Sequence, residues 1–338
     1  MKKFLALILA LAMALSLVAC GSNNNGNDNS NDNSGTTTKQ LRFVTGGESG
    51  TYYGFGSVIA THATNNAGVS VVALSSDGSK ANVFSLEENE AELGFCQSDV
   101  MAYDYNGTNI FADSCKVDCF SVLGALYTEQ VQIVTTNPDI KSVADLEGKS
   151  VSVGAPASGV YFNAVDILSA YGIGDLDADG KFTKINATYQ SFGDSADALK
   201  NGQIDAAFIV AGAPTTAVAD LATTKSVNLV SLDDEHIEKL LASSPYYTKC
   251  VIPAETYNMA ADVTTVGVGA VVLVRDDVSE DTVYALCADI FDNASSLVDT
   301  HAKYGEVTLE YGASMTAVPY HAGAAKYFAE KGFTVPAK

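Results

Sequence analysis

The chain has 338 residues, 47% of them hydrophobic, and a formal net charge of -21. Phosphate binding needs a basic surface, so an exterior this acidic excludes nucleic acid as a partner. Six cysteines and four histidines are too scattered for a zinc framework, so no metal is expected, and no cofactor motif is present.

The N-terminus reads as an export label. Lys2 and Lys3 precede an apolar run from Phe4 to Ala19 that stops at Cys20. The run falls short of the roughly 20 residues a membrane span needs and has the layout of a signal peptide. Leu17-Val18-Ala19-Cys20 resembles the bacterial lipobox, which predicts cleavage after residue 19 and a diacylglycerol on Cys20, anchoring the mature protein to the cell membrane. From Cys20 to about residue 40 the chain is almost wholly small and polar. Such a segment buries too little apolar surface to offset ordering and reads as a tether. Beyond the anchor, Cys115 and Cys119 could bridge a loop or stay reduced.

After the tether the elements alternate. Leu41–Val44 reads as a strand, and the turn Thr45–Gly50 leads into a helix over Tyr52–Asn65. A strand at Val69–Leu74 follows, then a helix capped by Ser79 and a strand at Leu93–Gln97. Val131–Thr135 is β-rich, Val143–Leu146 a helical turn and Ser150–Gly154 a strand. Gly159–Tyr171 reads as a helix with Ser158 as cap. Strands at Ala206–Val210 and Val227–Leu232 bracket a helix starting near Pro214. Thr265–Val274 is the most apolar run of the mature chain and reads as a buried strand, before a helix over Val283–Asp299. This alternation predicts α/β layers with largely parallel sheets. Leu86–Phe95 and Leu199–Phe208 echo each other, each running helix end, turn, acid, strand, which suggests two similar lobes.

Open α/β sheets bind ligands where strands end and helices begin. Four such places stand out: the turn from Gly46 to Tyr53, Ser79 with Asn82, the turn from Ala155 to Gly159, and Gly212-Ala213-Pro214. None is a phosphate loop. Arg42 and Arg275 are the sole arginines, so a guanidinium clamp could come only from them, and backbone amides with the hydroxyls of Thr45, Ser49, Ser79 or Ser158 would otherwise hold an anion. Tyr52, Tyr53 and Tyr127 are candidate aromatic walls. Cys96, His321 and nearby acids could form a catalytic site, but no GxSxG, HExxH or CxxC pattern accompanies them, and the reading is that the protein is not an enzyme.

Thr45-Gly46-Gly47-x-x-Gly50-x-Tyr52-Tyr53-x-x-Gly56 resembles the opening signature of the TAXI family, the extracytoplasmic solute-binding subunits of one class of TRAP transporters. The likeness continues in order through Ser79-x-x-Asn82, Phe95-x-Gln97-Ser98-Asp99, Leu126-Tyr127-x-Glu129, Gly154-Ala155-Pro156-x-Ser158-Gly159, Gly202-x-Ile204-Asp205-Ala206 and Pro319-x-His321-x-Gly323-Ala324. The resemblance implies a two-lobed periplasmic-binding-protein fold of type II, with two crossover strands. Lobe 1 would take residues 41–131 and 251–338, lobe 2 residues 132–250. It further implies a monomer that passes a small solute of the glutamate or glutamine type to a TRAP permease. A lipoprotein presenting its ligand to a sensor kinase is the alternative. The implied ligand contacts are Gly47, Ser49, Tyr52, Ser79, Asn82, Gln97, Tyr127, Ser158, Gly159 and Ala213. Ala157 and Val160 depart from the Gly and Thr common at those places in the family, which removes a hydroxyl from the expected site.

Overall fold

The computed structural model describes residues 40–108, 111 and 116–338; the expected leader, Cys20 and Cys115 lie outside them. In chain order the elements begin with β1 (Leu41–Val44), α1 (Thr51–His62), β2 (Val71–Leu74), α2 (Ser79–Glu87), β3 (Leu93–Gln97) and α3 (Ser98–Asn106). Next come β4 (Phe120–Thr135), β5 (Ser150–Ser152), α4 (Val160–Ala170), β6 (Asn186–Thr188), α5 (Phe192–Lys200), β7 (Ala206–Ala211) and α6 (Thr216–Ala222). The chain then runs through β8 (Asn228–Leu229), α7 (Asp234–Ser243), β9 (Thr248–Ile252), β10 (Val263–Arg275), α8 (Glu280–Asp292), α9 (Leu309–Gly312) and α10 (Ala322–Glu330).

Local chemistry explains the clearest boundaries. The side chains of Ser191, Asp233 and Ser279 accept the otherwise orphaned N–H groups of Asp194, His236 and Thr282, starting α5, α7 and α8. Glu280 and Asp281 in the first turn of α8 sit at the positive end of its dipole. β10 is a run of Val, Thr, Gly, Ala and Leu that ends at Arg275 and is buried along nearly its whole length, the pattern of a strand covered on both faces.

The strands join one mixed sheet in the order β2-β1-β3-β10-β4-β7-β5-β6, with β8 on β4 and β9 on β10. The expectation of largely parallel pairing is corrected at the centre. β1 pairs in parallel with β2 and β3, and β5 with β6 and β7, but β10 runs antiparallel to β3, β4 and β9, and β4 antiparallel to β7 and β8. The two long strands pass from one half of the molecule to the other, and each must add to a half sheet whose direction is already set.

The order mirrors about its centre, β2-β1-β3 on one side answering β6-β5-β7 on the other, and the sequence echo falls at the same place in both halves. Asn89 and Gly202, each the third residue after the echo's leucine, both take a positive φ, 60° and 67°. That reverses the chain from helix to strand. Six residues after the leucine stand Glu92 and Asp205. The Glu92 carboxylate accepts the N–H of Arg42 in β1 at 2.9 Å, and Asp205 accepts that of Ser150 in β5 at 2.9 Å. In return the N–H groups of Glu92 and Asp205 donate to the carbonyls of the same two residues. Each half therefore builds the same strand, helix, strand unit around one acid.

Apolar packing follows the halves. One core draws on β1, β3, α1, α8, α10, the Phe120–Tyr127 part of β4 and Ala270–Val274 of β10. Two further clusters draw on β5, β7, α4, α6, α7, the Val131–Val134 part of β4 and Val263–Val268 of β10. β4 spans about 50 Å at roughly 3.3 Å per residue, and the change of core falls at Thr128–Gln130, opposite Gly267–Gly269. A Cβ on Gly267 would lie 2.6 Å from the Thr128 methyl, so the two strands cross in close contact.

Several element boundaries move. Only the Val131–Thr135 end of β4 stands out as β-rich in the sequence, because Gly124, Glu129 and Gln130 interrupt its apolar run. The strand expected at Val227–Leu232 shortens to β8, and α8 ends at Asp292. Ser79 and Ser158 are not the caps: Gly78 and Gly159 are, and the two hydroxyls serve other partners.

Candidate ligand-binding site

A cavity of about 120 Å³ lies between the two halves beside the crossover. Drug-sized sites run to roughly 300–1,000 Å³, so this one suits a small solute.

On one side the chain between β1 and α1 closes with the Gly50 N–H on the Gly47 carbonyl at 2.9 Å, and α1 starts without a side-chain cap. Tyr52 stacks on Phe95 with ring centroids 4.5 Å apart, which carries its hydroxyl into the interior, where it has no hydrogen-bond partner. Gly78, at φ 104°, turns the chain into α2. The Ser79 hydroxyl accepts the Gln97 N–H at 3.1 Å, tying the start of α2 to the end of β3.

From the other side comes the start of α4. The Ser158 hydroxyl donates to the Ala155 carbonyl at 2.7 Å, holding the turn that presents Gly159. A Cβ on Gly159 would lie 1.7 Å from Gln97 Oε1, so the missing side chain is what lets the Gln97 carboxamide reach across. That oxygen is buried and unpartnered.

Glu129 occupies the crossover itself, opposite Val268. It is 2% exposed and faces the cavity. Tyr127 donates a long 3.5 Å hydrogen bond to Oε1, the Tyr52 hydroxyl approaches without completing one, and Oε2 has no partner. Burial disfavours the charged form and pushes the carboxyl up to about 8, with the Tyr52 hydroxyl opposing the shift, the Asp99 charge adding to it and Lys303 and Tyr127 opposing it more weakly.

The halves are shut on the cavity by direct bonds. The Ala81 N–H donates to the Ala157 carbonyl at 3.1 Å, Thr51 Oγ1 to the Gly212 carbonyl at 2.8 Å, and the Ala217 N–H to the Ser49 carbonyl at 3.1 Å. Deeper down, Asn163 Nδ2 donates to Asp99 Oδ2 at 2.9 Å.

Of the residues expected from sequence, Gly47, Tyr52, Ser79, Gln97, Ser158 and Gly159 line the cavity. Ser49, Asn82, Tyr127 and Ala213 do not. Ser49 works through its carbonyl, in the bond to Ala217 just described. Asn82 is wholly buried and donates to the Thr45 and Phe95 carbonyls at 2.7 Å each, which fastens β1 to β3. Tyr127 lies behind Glu129, and the Ala213 N–H donates to Gln130 Oε1. Val160, one of the two departures, lines the wall. Thr51, inside the turn expected to meet a ligand, also lines it, and Asp77, Gln190 and Phe192 do so without having been expected, as does Glu129, which the sequence pattern contains but did not mark as a contact. Its signal was an acid inside a run otherwise suited to a buried strand.

Other candidates have structural employment. Arg42 pairs with Glu92 at 2.8 Å and Arg275 with Asp277, so neither guanidinium reaches the cavity. His321 caps α10, accepting the Gly323 N–H at 3.2 Å. Cys96 is buried, and burial raises its thiol well above the ordinary value, which makes it a poor nucleophile. Cys119 has no disulfide partner among the described residues, and Cys115 lies outside them. Among the described residues no cluster of three or more His, Cys, Asp or Glu is placed to hold a metal, and no helix is long and apolar enough to cross a membrane.

A sequence profile described as the NMT1-like family matches residues 43–332. The chain belongs to that family. Solved structures similar to this NMT1-like protein include one from Bordetella bronchiseptica RB50, at 16% identity over 86% of this chain and 88% of that one, with a TM-score of 0.51. The periplasmic aliphatic sulphonate binding protein SsuA from Escherichia coli is 16% identical over 86% of this chain and 82% of its own, with a TM-score of 0.42. The substrate binding protein of an amino acid ABC transporter is 14% identical over 79% and 96%, with a TM-score of 0.45. At these identities the likeness is one of fold alone. This NMT1-like protein has the mixed α/β fold expected from its sequence, with its strands in one mixed sheet.

Proposed function

We propose that the protein is an extracytoplasmic solute-binding subunit of the TAXI type, anchored through Cys20, that captures a small polar solute and delivers it to a TRAP permease. The observation that carries this reading is the cavity between the two halves, walled from both sides by helix starts and by buried polar atoms without partners. A bound solute would satisfy Tyr52 and Gln97, which otherwise bear the cost of burial unpaired. In this reading residues 41–131 with 251–338 form one lobe and 132–250 the other. The hinge lies where β4 and β10 cross, and the bonds between Ala81 and Ala157, Thr51 and Gly212, and Ala217 and Ser49 form as the lobes close. Closure on the solute supplies the shape that a permease reads.

A thermal-shift screen over amino acids and small carboxylates tests the binding role. A solute at about 100 times its dissociation constant adds about 2.7 kcal/mol of stability. Small-angle scattering of the purified mature protein then checks closure, with a smaller radius of gyration expected at saturation. An unchanged radius would remove the clamp from the reading.

A further inference from the structure

We infer that Glu129 is the seat of a cationic nitrogen of the solute, so that the site takes amino acids or amines and rejects carboxylates that lack an amino group. This rests on the solute-binding reading and narrows it. Glu129 Oε2 is a buried carboxyl oxygen on a residue that lines the cavity, and it has no hydrogen-bond partner among the described residues. The side chains lining the cavity include two acids, Glu129 and Asp77, and no lysine, arginine or histidine. Lys303 lies behind Tyr127, 5.4 Å from the centre of its ring, and is paired with Glu306. Gln97 Oε1 is a second buried acceptor without a partner. A wall that holds two carboxyls and an unpaired carboxamide oxygen, with no cationic side chain among its described lining residues, calls for a guest that donates, and an ammonium brings three N–H groups and the charge that favours ionisation of Glu129. The acid end of an amino acid would then meet the Ser79 and Tyr52 hydroxyls and the open N–H groups at the start of α4.

The charge balance gives the inference a direction in pH. The groups facing the carboxyl are Tyr52 from α1, Cys96 from β3, Asp99 from α3, Tyr127 on its own strand, Lys303, and Tyr311 from α9. In the shut structure without a guest this carboxyl keeps its proton to about pH 8, and an arriving ammonium expels it.

The test is calorimetric titration of the purified mature protein with matched pairs: glutamate against 2-oxoglutarate and glutarate, glutamine against 4-carbamoylbutanoate, and alanine against lactate. A broad thermal-shift panel of amino acids, amines and carboxylates accompanies it. The expected result is binding by amino-bearing members alone, with affinity rising about tenfold per pH unit from 6.5 to 7.5 and a proton released to buffer. Glu129→Gln should flatten that slope and weaken binding at least tenfold, while its melting temperature shows that it is folded. Equal or tighter binding by the deaminated partners, a pH slope of opposite sign, or an unchanged slope in Glu129→Gln overturns the assignment and leaves solute binding standing. Silence across the whole panel overturns both.

Discussion

Gly159→Ala separates the stability of the fold from the closure of its site. Gly159 sits at φ -68° and ψ -22°, a right-handed helical conformation that alanine adopts without strain. By chain entropy alone the substitution is neutral or stabilising by about 0.4–1 kcal/mol. Across the cavity the geometry is hostile. The new methyl would lie 1.7 Å from Gln97 Oε1, 2.4 Å from its Cδ and 3.1 Å from Ser79 Oγ. Gln97 is 2% exposed, so its carboxamide can escape only into the cavity, where it takes the solute's place. Either the halves stay apart or the guest loses room. Overpacking of this kind costs about 1–3 kcal/mol, which falls wholly on the closed form and corresponds to about a 5- to 150-fold loss of affinity. Titration calorimetry with a solute found by screening measures the loss, and urea denaturation of the free variant measures the fold. Affinity within twofold of the parent protein, at unchanged stability, would refute the contact between Gln97 and Gly159 as part of the bound state.

The free protein should be more stable at pH 5 than at pH 8. Burial holds the Glu129, Asp104 and Asp99 carboxyls protonated to about 8, 7 and 6. The folded state therefore binds more protons than the unfolded one from about pH 4 upward, and stability falls with rising pH until about 8; His301, lowered by burial, opposes this weakly below its ordinary value. Melting temperatures across that range read the slope. Both carboxyl oxygens of Asp104 are buried without a partner among the described residues, so Asp104→Asn should flatten the slope, raising the melting temperature relative to the parent protein at pH 8 more than at pH 5. Glu92→Ala and Asp205→Ala should each cost about 1–3 kcal/mol in urea denaturation, since each removes a carboxylate that accepts a strand N–H. Glu92→Ala should cost more because it also strips the Arg42 pair, and a neutral result for Asp205→Ala would mean that the echo is not structural.

Much of the local layout is legible in the sequence. β1, β3, α1, α2 and β7 lie where alternation and turn glycines place them, and the repeated leucine, turn and acid foretold two like units. The long strand β4 was half hidden, because its polar residues break the pattern at the point where it leaves one core for the other. Asn82 stands off the cavity wall for a reason the sequence does not show. A buried amide serving two backbone carbonyls and an amide serving a guest look alike in a sequence, and burial alone tells them apart.

The amino-acid sequence by itself determined the alternation of strand and helix, the duplicated unit and the glycine turns that leave room for a guest, since all of these follow from neighbours a few residues apart. Only the tertiary structure decided that Glu129 faces a cavity with a free oxygen, that Gln97 meets Gly159, and that Tyr127 and Asn82 stand behind the wall. Those facts depend on two strands crossing and two halves meeting, which brings together residues far apart in the chain, and no local pattern encodes a distance between them.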